Sequence, residues 1–223
     1  MSLNLILGCM FSGKTSELLN RYERYTIGNK RCLLIKFRGD TRYDNDSVVT
    51  HSGKTIPSTA VEYLYEVDSI IPQFDVICID EVQFYKDAHI FCDKWANQGK
   101  IVEACGINGT FHKTPFPIIS KLIPQASNIT FLKAICRETG QDAIYSFRHQ
   151  TDKVGDIVIG GSDTYKAVDR LTYNQSLLTK DLYDKFLEFS QLYNDANKLN
   201  KVYSIKQTDM TDNVSFMELI NKN

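Results

Sequence analysis

The segment Gly8-Cys-Met-Phe-Ser-Gly13-Lys14-Thr15 constrains this chain more than any other. It satisfies the pattern GxxxxGK[ST] in full, and each part has a physical duty. Gly8 and Gly13 let backbone N–H groups, those of Met10, Phe11 and Ser12 among them, turn inward around phosphate oxygens. Lys14 reaches toward β- and γ-phosphates, and the Thr15 hydroxyl can ligate a magnesium ion. The context is the one this loop requires. Leu3 to Leu7 is a short apolar strand ending at Gly8. Leu18, Leu19, Tyr22 and Tyr25 then recur at helical spacing over 13–27, with Gly28 as a C-cap. A helix starting there points the positive end of its dipole at the anion.

The remaining apolar runs alternate in type. Strands are expected over 31–37, 75–79, 100–105 and 128–136. A helix is expected over 87–98, capped by Asp87, with Phe91 and Trp95 stacked at i,i+4 and Gly99 at its end. A short helix fits 117–123, and 38–58 reads as a long polar loop. The run 75–79 is apolar at every position after Asp75, as a strand covered on both faces should be. The pattern predicts an α/β fold, a P-loop NTPase (RecA-like) parallel sheet with helices on both faces. Residues 136–173 differ, with short β-like runs at 143–147 and 156–159, and read as a small β-rich lobe. Beyond 174, Leu178, Leu182, Phe186, Phe189 and Tyr193 define an amphipathic helix over 176–197, and the last twenty residues have little pattern. The expected division is therefore 1–135, a nucleotide-binding domain; 136–173, the small lobe; and 174–223, an extension.

Composition removes other classes. With 26 Lys+Arg against 27 Asp+Glu the net charge is -1, which argues against a protein living on the nucleic-acid backbone. No stretch approaches about 18 apolar residues, so no membrane span is expected, and the N-terminus lacks the basic start of a signal peptide. The 6 cysteines form no CxxC pair, which points to a reducing, cytoplasmic setting.

A second motif joins the first. The strand Val76 to Ile79 runs straight into Asp80-Glu81, the acidic strand end expected on the magnesium side of a phosphate loop. Asp80 would hold the metal, directly or through water. Glu81 is then available for base chemistry: on water in an ATPase, or on an acceptor hydroxyl in a small-molecule kinase.

Taken together, these residues resemble the type II thymidine kinases, the cytosolic and viral class. The resemblance is carried by Met10-Phe11-Ser12-Gly13-Lys14-Thr15 with Glu17 and Leu18, by Asp40-Thr41-Arg42-Tyr43 with His51, and by Ile79-Asp80-Glu81 with Gln83 and Phe84. It continues through Gly109-Thr110-Phe111 with Pro115-Phe116, and Ile159-Gly160-Gly161 with Asp163 and Tyr165. It spans residues 3–173. The resemblance implies transfer of the ATP γ-phosphoryl group to the 5′-hydroxyl of thymidine, for deoxynucleoside salvage. It implies Glu81 as general base, with Lys14 and Arg42 acting on the phosphates. Gly8, Met10, Phe11, Ser12, Gly13, Lys14, Thr15, Asp40, Asp80 and Gln83 would hold ATP and Mg²⁺, the metal through Thr15, Asp40 and Asp80. Met10, Phe84, Ile107, Phe111, Phe116 and Ser146 would face the nucleoside. A "lasso" loop, with Ile157, Val158, Ile159, Gly160, Gly161 and Tyr165, would grip it largely through the backbone. The family also implies a homotetramer and feedback inhibition by thymidine triphosphate (dTTP), with neither nucleic-acid nor membrane partners. Taken singly, Phe111, Phe116 and Tyr165 would be ordinary core or loop aromatics, and His51 and His112 structural or surface residues.

The chain departs from the family in places. Cys9 stands where the family usually has proline, Asn108 where it has aspartate, and Ser146 where it often has threonine. Family members usually hold a structural zinc through two CxxC pairs. The matching positions here are Cys136 with Thr139, and Asp169 with Thr172. One thiolate, one carboxylate and two hydroxyls suit zinc poorly, so a small lobe without zinc is expected. Two other readings remain beside the kinase: a P-loop ATPase, and a nucleotide-binding homologue that has lost activity. Intact Lys14, Thr15, Asp80 and Glu81 argue against the latter, and the Gly160-Gly161 to Tyr165 segment argues against the former.

Overall fold

The expected strands supply five of the six strands of a parallel sheet. The computed structural model describes residues 1–40, 47–49, 55–149 and 160–178, and the single residues 185, 188, 191 and 195. In chain order the elements begin with β1 (Ser2–Gly8), α1 (Lys14–Ile27), β2 (Cys32–Phe37), β3 (Ser47–Val49), β4 (Thr55–Pro57) and β5 (Thr59–Val61). A 3₁₀ segment, Leu64–Gln73, leads to β6 (Val76–Ile79), a 3₁₀ turn at Val82–Phe84, α2 (Ala88–Asn97), β7 (Ile101–Ile107) and α3 (Pro117–Leu122). Then come β8 (Asn128–Leu132), β9 (Ala134–Ile135), β10 (Asp142–Ala143), β11 (Tyr145–Arg148) and β12 (Tyr165–Val168). The sheet order is β5-β2-β6-β7-β1-β8, all parallel.

Alternation along the strands makes two cores. Leu3, Leu5, Leu7, Leu33, Ile35, Ile77 and Ile79 face one side with Trp95 of α2 and Ile119 of α3. Ile6, Leu34, Val76, Cys78 and Cys105 face the other, against Leu18 and Leu19 of α1. That period-two split places helices on both faces. The parallel register aligns the strand ends: Gly8 lies opposite Ile107, and Ile79 opposite Ala104. Gly8, Asp80 and Ile107 therefore emerge along one carboxyl edge, where α/β sheets put their ligands.

One charge is buried in this sheet. Glu103, 1% exposed in β7, accepts hydrogen bonds from Asn4 Nδ2 (2.8 Å), Arg21 Nη1 (2.9 Å) and Tyr25 OH (2.8 Å). A buried carboxylate needs such partners, and these tie α1 to the sheet behind the phosphate loop. Burial, followed by the Glu103 bond and charge, pushes the Tyr25 phenol up to about 12.

Several local expectations need correction. The polar loop 38–58 contains the antiparallel pair β3–β4. The strand expected over 128–136 breaks at Lys133 into β8 and β9. A sixth sheet strand, β5, comes from only three residues. Asp87 does not cap its own helix; its carboxylate accepts from the backbone N–H groups of Leu64 (3.2 Å) and Tyr65 (3.0 Å). Gly28, by contrast, is the C-cap of α1 as expected, its N–H bonded to the Arg24 carbonyl (3.1 Å) at φ −77°, and the left-handed residue is Asn29 at φ 59°.

Met1–Tyr173 forms one compact unit and Asn174–Asn223 a second. In the second, 174–178 and the single described residues are helical, and Leu178 is 64% exposed. Leu182, Phe186, Phe189 and Tyr193 lie outside the described residues. Among the described residues no helix is long and apolar enough to cross a membrane.

Candidate active site

The loop from Gly8 to Thr15 joins β1 to α1 through two left-handed residues, Phe11 (φ 65°) and Gly13 (φ 82°). A Cβ on Gly8 would run into the Leu132 carbonyl oxygen and Ser12 Oγ, so only glycine fits between loop and β8. Lys14 is buried, and its Nζ donates to the Cys9 carbonyl at 2.7 Å. Ser12 Oγ is buried and has no hydrogen-bond partner among the described residues. An orphaned hydroxyl and an inward-facing ammonium in a glycine-bounded loop suit a phosphate.

Beside the loop, β6 delivers Asp80. Its Oδ1 accepts from Thr15 Oγ1 (3.2 Å), from the Glu81 backbone N–H (3.1 Å) and from the Cys105 thiol (2.8 Å). Loss of water around the carboxylate and the Glu81 charge push Asp80 up to about 6; the Cys105 and Thr15 bonds oppose this, and the Asp40 charge adds to it. Burial and the Asp80 charge raise the Cys105 thiol well above the usual range. Asp80 thus sits among other carboxylates, and the Thr15 hydroxyl and Asp80 carboxylate are hard oxygens, which fits magnesium. Among the described residues no three His, Cys, Asp or Glu side chains could by themselves hold a metal. That is compatible with an ion held by one or two protein oxygens together with phosphates.

Glu81 leaves the strand in left-handed backbone (φ 53°, ψ 47°), unusual for a residue with a side chain. Its Oε2 accepts from Gln83 Nε2 at 2.6 Å, and Gln83 Oε1 accepts from the Ile107 N–H at 3.2 Å. Asp40 is buried at the end of β2, its N–H bonded to the Phe37 carbonyl (3.0 Å).

A second cluster lies where the loop meets the small lobe. Met10, Phe111 and Tyr165 pack together with Ile107 against them. The Met10 N–H donates to Ser146 Oγ on β11 at 3.0 Å, and Tyr173 OH donates to the Phe111 carbonyl at 2.6 Å. Gly160 and Gly161 lead into a turn whose Thr164 and Tyr165 N–H groups bond to the Gly161 carbonyl (3.1 and 3.0 Å). A Cβ on Gly160 would press on Thr164. The structure therefore gathers Met10, Ile107, Phe111, Ser146 and Tyr165. Phe84 instead stacks on Phe37 with centroids 5.2 Å apart, and Phe116 packs in the main core. Arg42, His51, Ile157, Val158 and Ile159 lie outside the described residues.

Sequence reasoning missed Arg148, whose guanidinium lies 3.9 Å over the Phe111 ring, and Cys105 against Asp80. Alternation could have flagged Arg148. It stands two residues from Ser146 on the same strand and therefore shares its face.

The four positions matched to family cysteines also converge. Cys136 Sγ hydrogen-bonds Thr172 Oγ1 (3.4 Å), and Thr139 Oγ1 donates to Asp169 Oδ2. Asp169 Oδ1 accepts the Thr172 N–H (2.7 Å). Burial would raise the Cys136 thiol, but the Thr139 and Thr172 hydroxyls and the Asp169 and Thr139 N–H groups outweigh it and hold it below the usual value. Thr139, followed by the Thr172 N–H, likewise holds Asp169 below the carboxylate range.

A family model described as thymidine kinase matches residues 1–173. The thymidine kinase of rabbit fibroma virus (strain Kasza) is 41% identical over 171 residues, covering 77% of this chain and 95% of that one. The thymidine kinase of Amsacta moorei entomopoxvirus is 40% identical over 187 residues, covering 79% of this chain and 100% of that one. The human protein named thymidine kinase, cytosolic, is 41% identical over 171 residues, covering 77% of this chain and 72% of that one.

Proposed function

The chain belongs to the thymidine kinase family, and on that premise we propose how its residues carry out the reaction. The protein is an ATP-dependent phosphotransferase that phosphorylates thymidine. The observation that carries the residue-level reading is the double membership of Met10. Its backbone belongs to the phosphate loop, and its side chain walls the aromatic cluster. One loop thereby joins donor and acceptor.

In this reading the N–H groups of the Phe11–Thr15 part of the loop cradle the ATP phosphates, the Met10 N–H being held by Ser146 Oγ. Lys14 Nζ exchanges its bond to the Cys9 carbonyl for a phosphate oxygen. Magnesium, when bound, would offset phosphate charge; Thr15 and Asp80 would hold it, with Asp40 on the same side. Glu81 takes the proton of the thymidine 5′-hydroxyl on its carboxylate. Phe111, Met10, Ile107 and Tyr165 flank the base, with Phe84 and Phe116 beyond them, and Ser146 offers a hydroxyl. Backbone of the segment Ile157 to Gly161 grips the base, and Arg42 acts at the phosphates. Aromatic walls with few polar contacts suit a flat pyrimidine.

The small lobe, in the same reading, folds without zinc. What supports this is the hydroxyl–carboxylate network joining Cys136, Thr139, Asp169 and Thr172. Metal analysis of purified protein should find less than about 0.1 zinc per chain; stoichiometric zinc would overturn it. Assembly into a homotetramer is carried over from the family; the edge strand β8, with Phe131 60% exposed, is one surface open to another copy. Feedback inhibition by dTTP, carried over from the family, is in keeping with Met10 belonging to both the phosphate loop and the aromatic cluster. Six free cysteines support a cytoplasmic setting.

The test is a panel of nucleosides incubated with Mg·ATP. Thymidine should yield its 5′-monophosphate, and a panel giving no product would reject the reading.

A further inference from the structure

Glu81 sits on one of the least forgiving stretches of backbone in the molecule. Its left-handed conformation is set on one side by Asp80, whose Oδ1 accepts the Glu81 N–H at 3.1 Å. On the other side the Phe84 N–H donates to the Glu81 carbonyl at 3.1 Å, closing the 3₁₀ turn, and Val82 is fully buried. These contacts fix the main chain. They leave the carboxylate to be oriented by something else, because a Glu side chain has three rotatable bonds beyond it.

Gln83 supplies that control. Its side chain is 6% exposed and spans from Glu81 to the end of β7. The Ile107 N–H, at 3.2 Å, can be met only by the amide oxygen, so Nε2 must face the Glu81 carboxylate, where it lies 2.6 Å from Oε2. The two bonds therefore select one amide orientation rather than leaving it to choice. The backbone opposite is shaped for this. A Cβ on Gly106 would stand 2.6 Å from Gln83 Oε1 and 3.0 Å from Val82 Cγ1. Glycine at 106 is what lets the amide reach the Ile107 N–H.

We infer that Gln83 is a positioning residue, locking the Glu81 carboxylate to the sheet through the Ile107 N–H in the space that Gly106 leaves open. The resemblance put Gln83 on the ATP and magnesium side; the geometry points to the base instead. The inference rests on Glu81 being the base.

The experiment compares Gln83→Met, Gly106→Ala, their double variant and Glu81→Gln in steady-state kinetics with Mg·ATP and thymidine, alongside equilibrium ATP binding. Gln83→Met keeps the length and removes both hydrogen bonds. Its kcat should fall about tenfold or more, with both KM values within about threefold and ATP binding retained. Gly106→Ala keeps the amide but displaces it, so kcat should fall in the same direction and the double variant should be little worse than Gln83→Met. Unchanged kcat in Gln83→Met, or a raised KM for ATP at constant kcat, would overturn the inference. Independent, additive losses in the double variant would do so too. If Gln83→Met proves unfoldable, Gly106→Ala alone decides on the same kcat-against-KM criterion. Glu81→Gln separates the two levels: its turnover should fall at least about 100-fold. Persistent turnover there would reject the base reading itself, whatever Gln83 does.

Discussion

At the carboxyl edge of the sheet, Asp80 shares its surroundings with Glu81 and Asp40 and is pushed up to about 6. In the small lobe, Asp169 sits among the hydroxyls and N–H groups of Thr139 and Thr172 and is held below its ordinary value. The two carboxylates are the same chemical group under opposite pressures. One region gathers the carboxylates of Asp80, Glu81 and Asp40, with Ser12 Oγ lacking a hydrogen-bond partner among the described residues and Lys14 bonded back on its own loop. The other is a network whose groups satisfy one another. The contrast teaches where binding energy and folding energy are stored. The loop side keeps one buried hydroxyl, that of Ser12, unsatisfied among the described residues, whereas the lobe has spent its groups on holding itself together.

Lys14→Ala offers the largest test of that contrast. Turnover should drop at least about 100-fold, because the phosphoryl charge loses its ammonium, while the unfolding midpoint stays within about 3 °C. A variant that unfolds with its activity would mean that the loop is structural and the contrast false. Next in size is Thr172→Val in the lobe. Buried Thr172 loses its bond to Cys136, and urea unfolding should show a loss of about 1 kcal/mol with kcat near wild type. Unchanged stability would show that the network does not hold the lobe together.

The smallest effect is on pH. Asp80 has a raised folded pKa, so its contribution to the stability of the metal-free protein is full below about pH 4 and is lost as pH rises through about 6. Asp169 has a lowered folded pKa. Its contribution is present above about pH 4 and is lost as pH falls through the folded value. Denaturant titrations of wild type between about pH 2 and 7, beside Asp80→Asn and Asp169→Asn, should show slopes of opposite sign removed, that of Asp169 below about pH 4 and that of Asp80 between about pH 4 and 6. The same sign in both would break the comparison.

How much could be read from the chain follows the same division. The phosphate loop and Asp80-Glu81 are contiguous motifs with local geometry, so both were visible, as were the apolar runs of the central strands. What escaped depends on partners far away in sequence. The three residues of β5 are strand only because β2 lies beside them. Asp87 looks like the cap of its own helix but serves N–H groups at Leu64 and Tyr65. The Gln83 to Ile107 bond and the Arg148 stack on Phe111 each cross from one element to another. Glu103 was the exception that could have been flagged, since a carboxylate inside a buried strand demands partners, here Arg21, Tyr25 and Asn4.

The most direct measurement is the stoichiometry of one reaction: ADP and thymidine 5′-phosphate, followed together while Mg·ATP is mixed with protein, with and without thymidine. The account predicts one nucleotide product per ADP, and ADP release that all but stops when thymidine is omitted. Steady ADP release indifferent to thymidine, with water as acceptor, would contradict it.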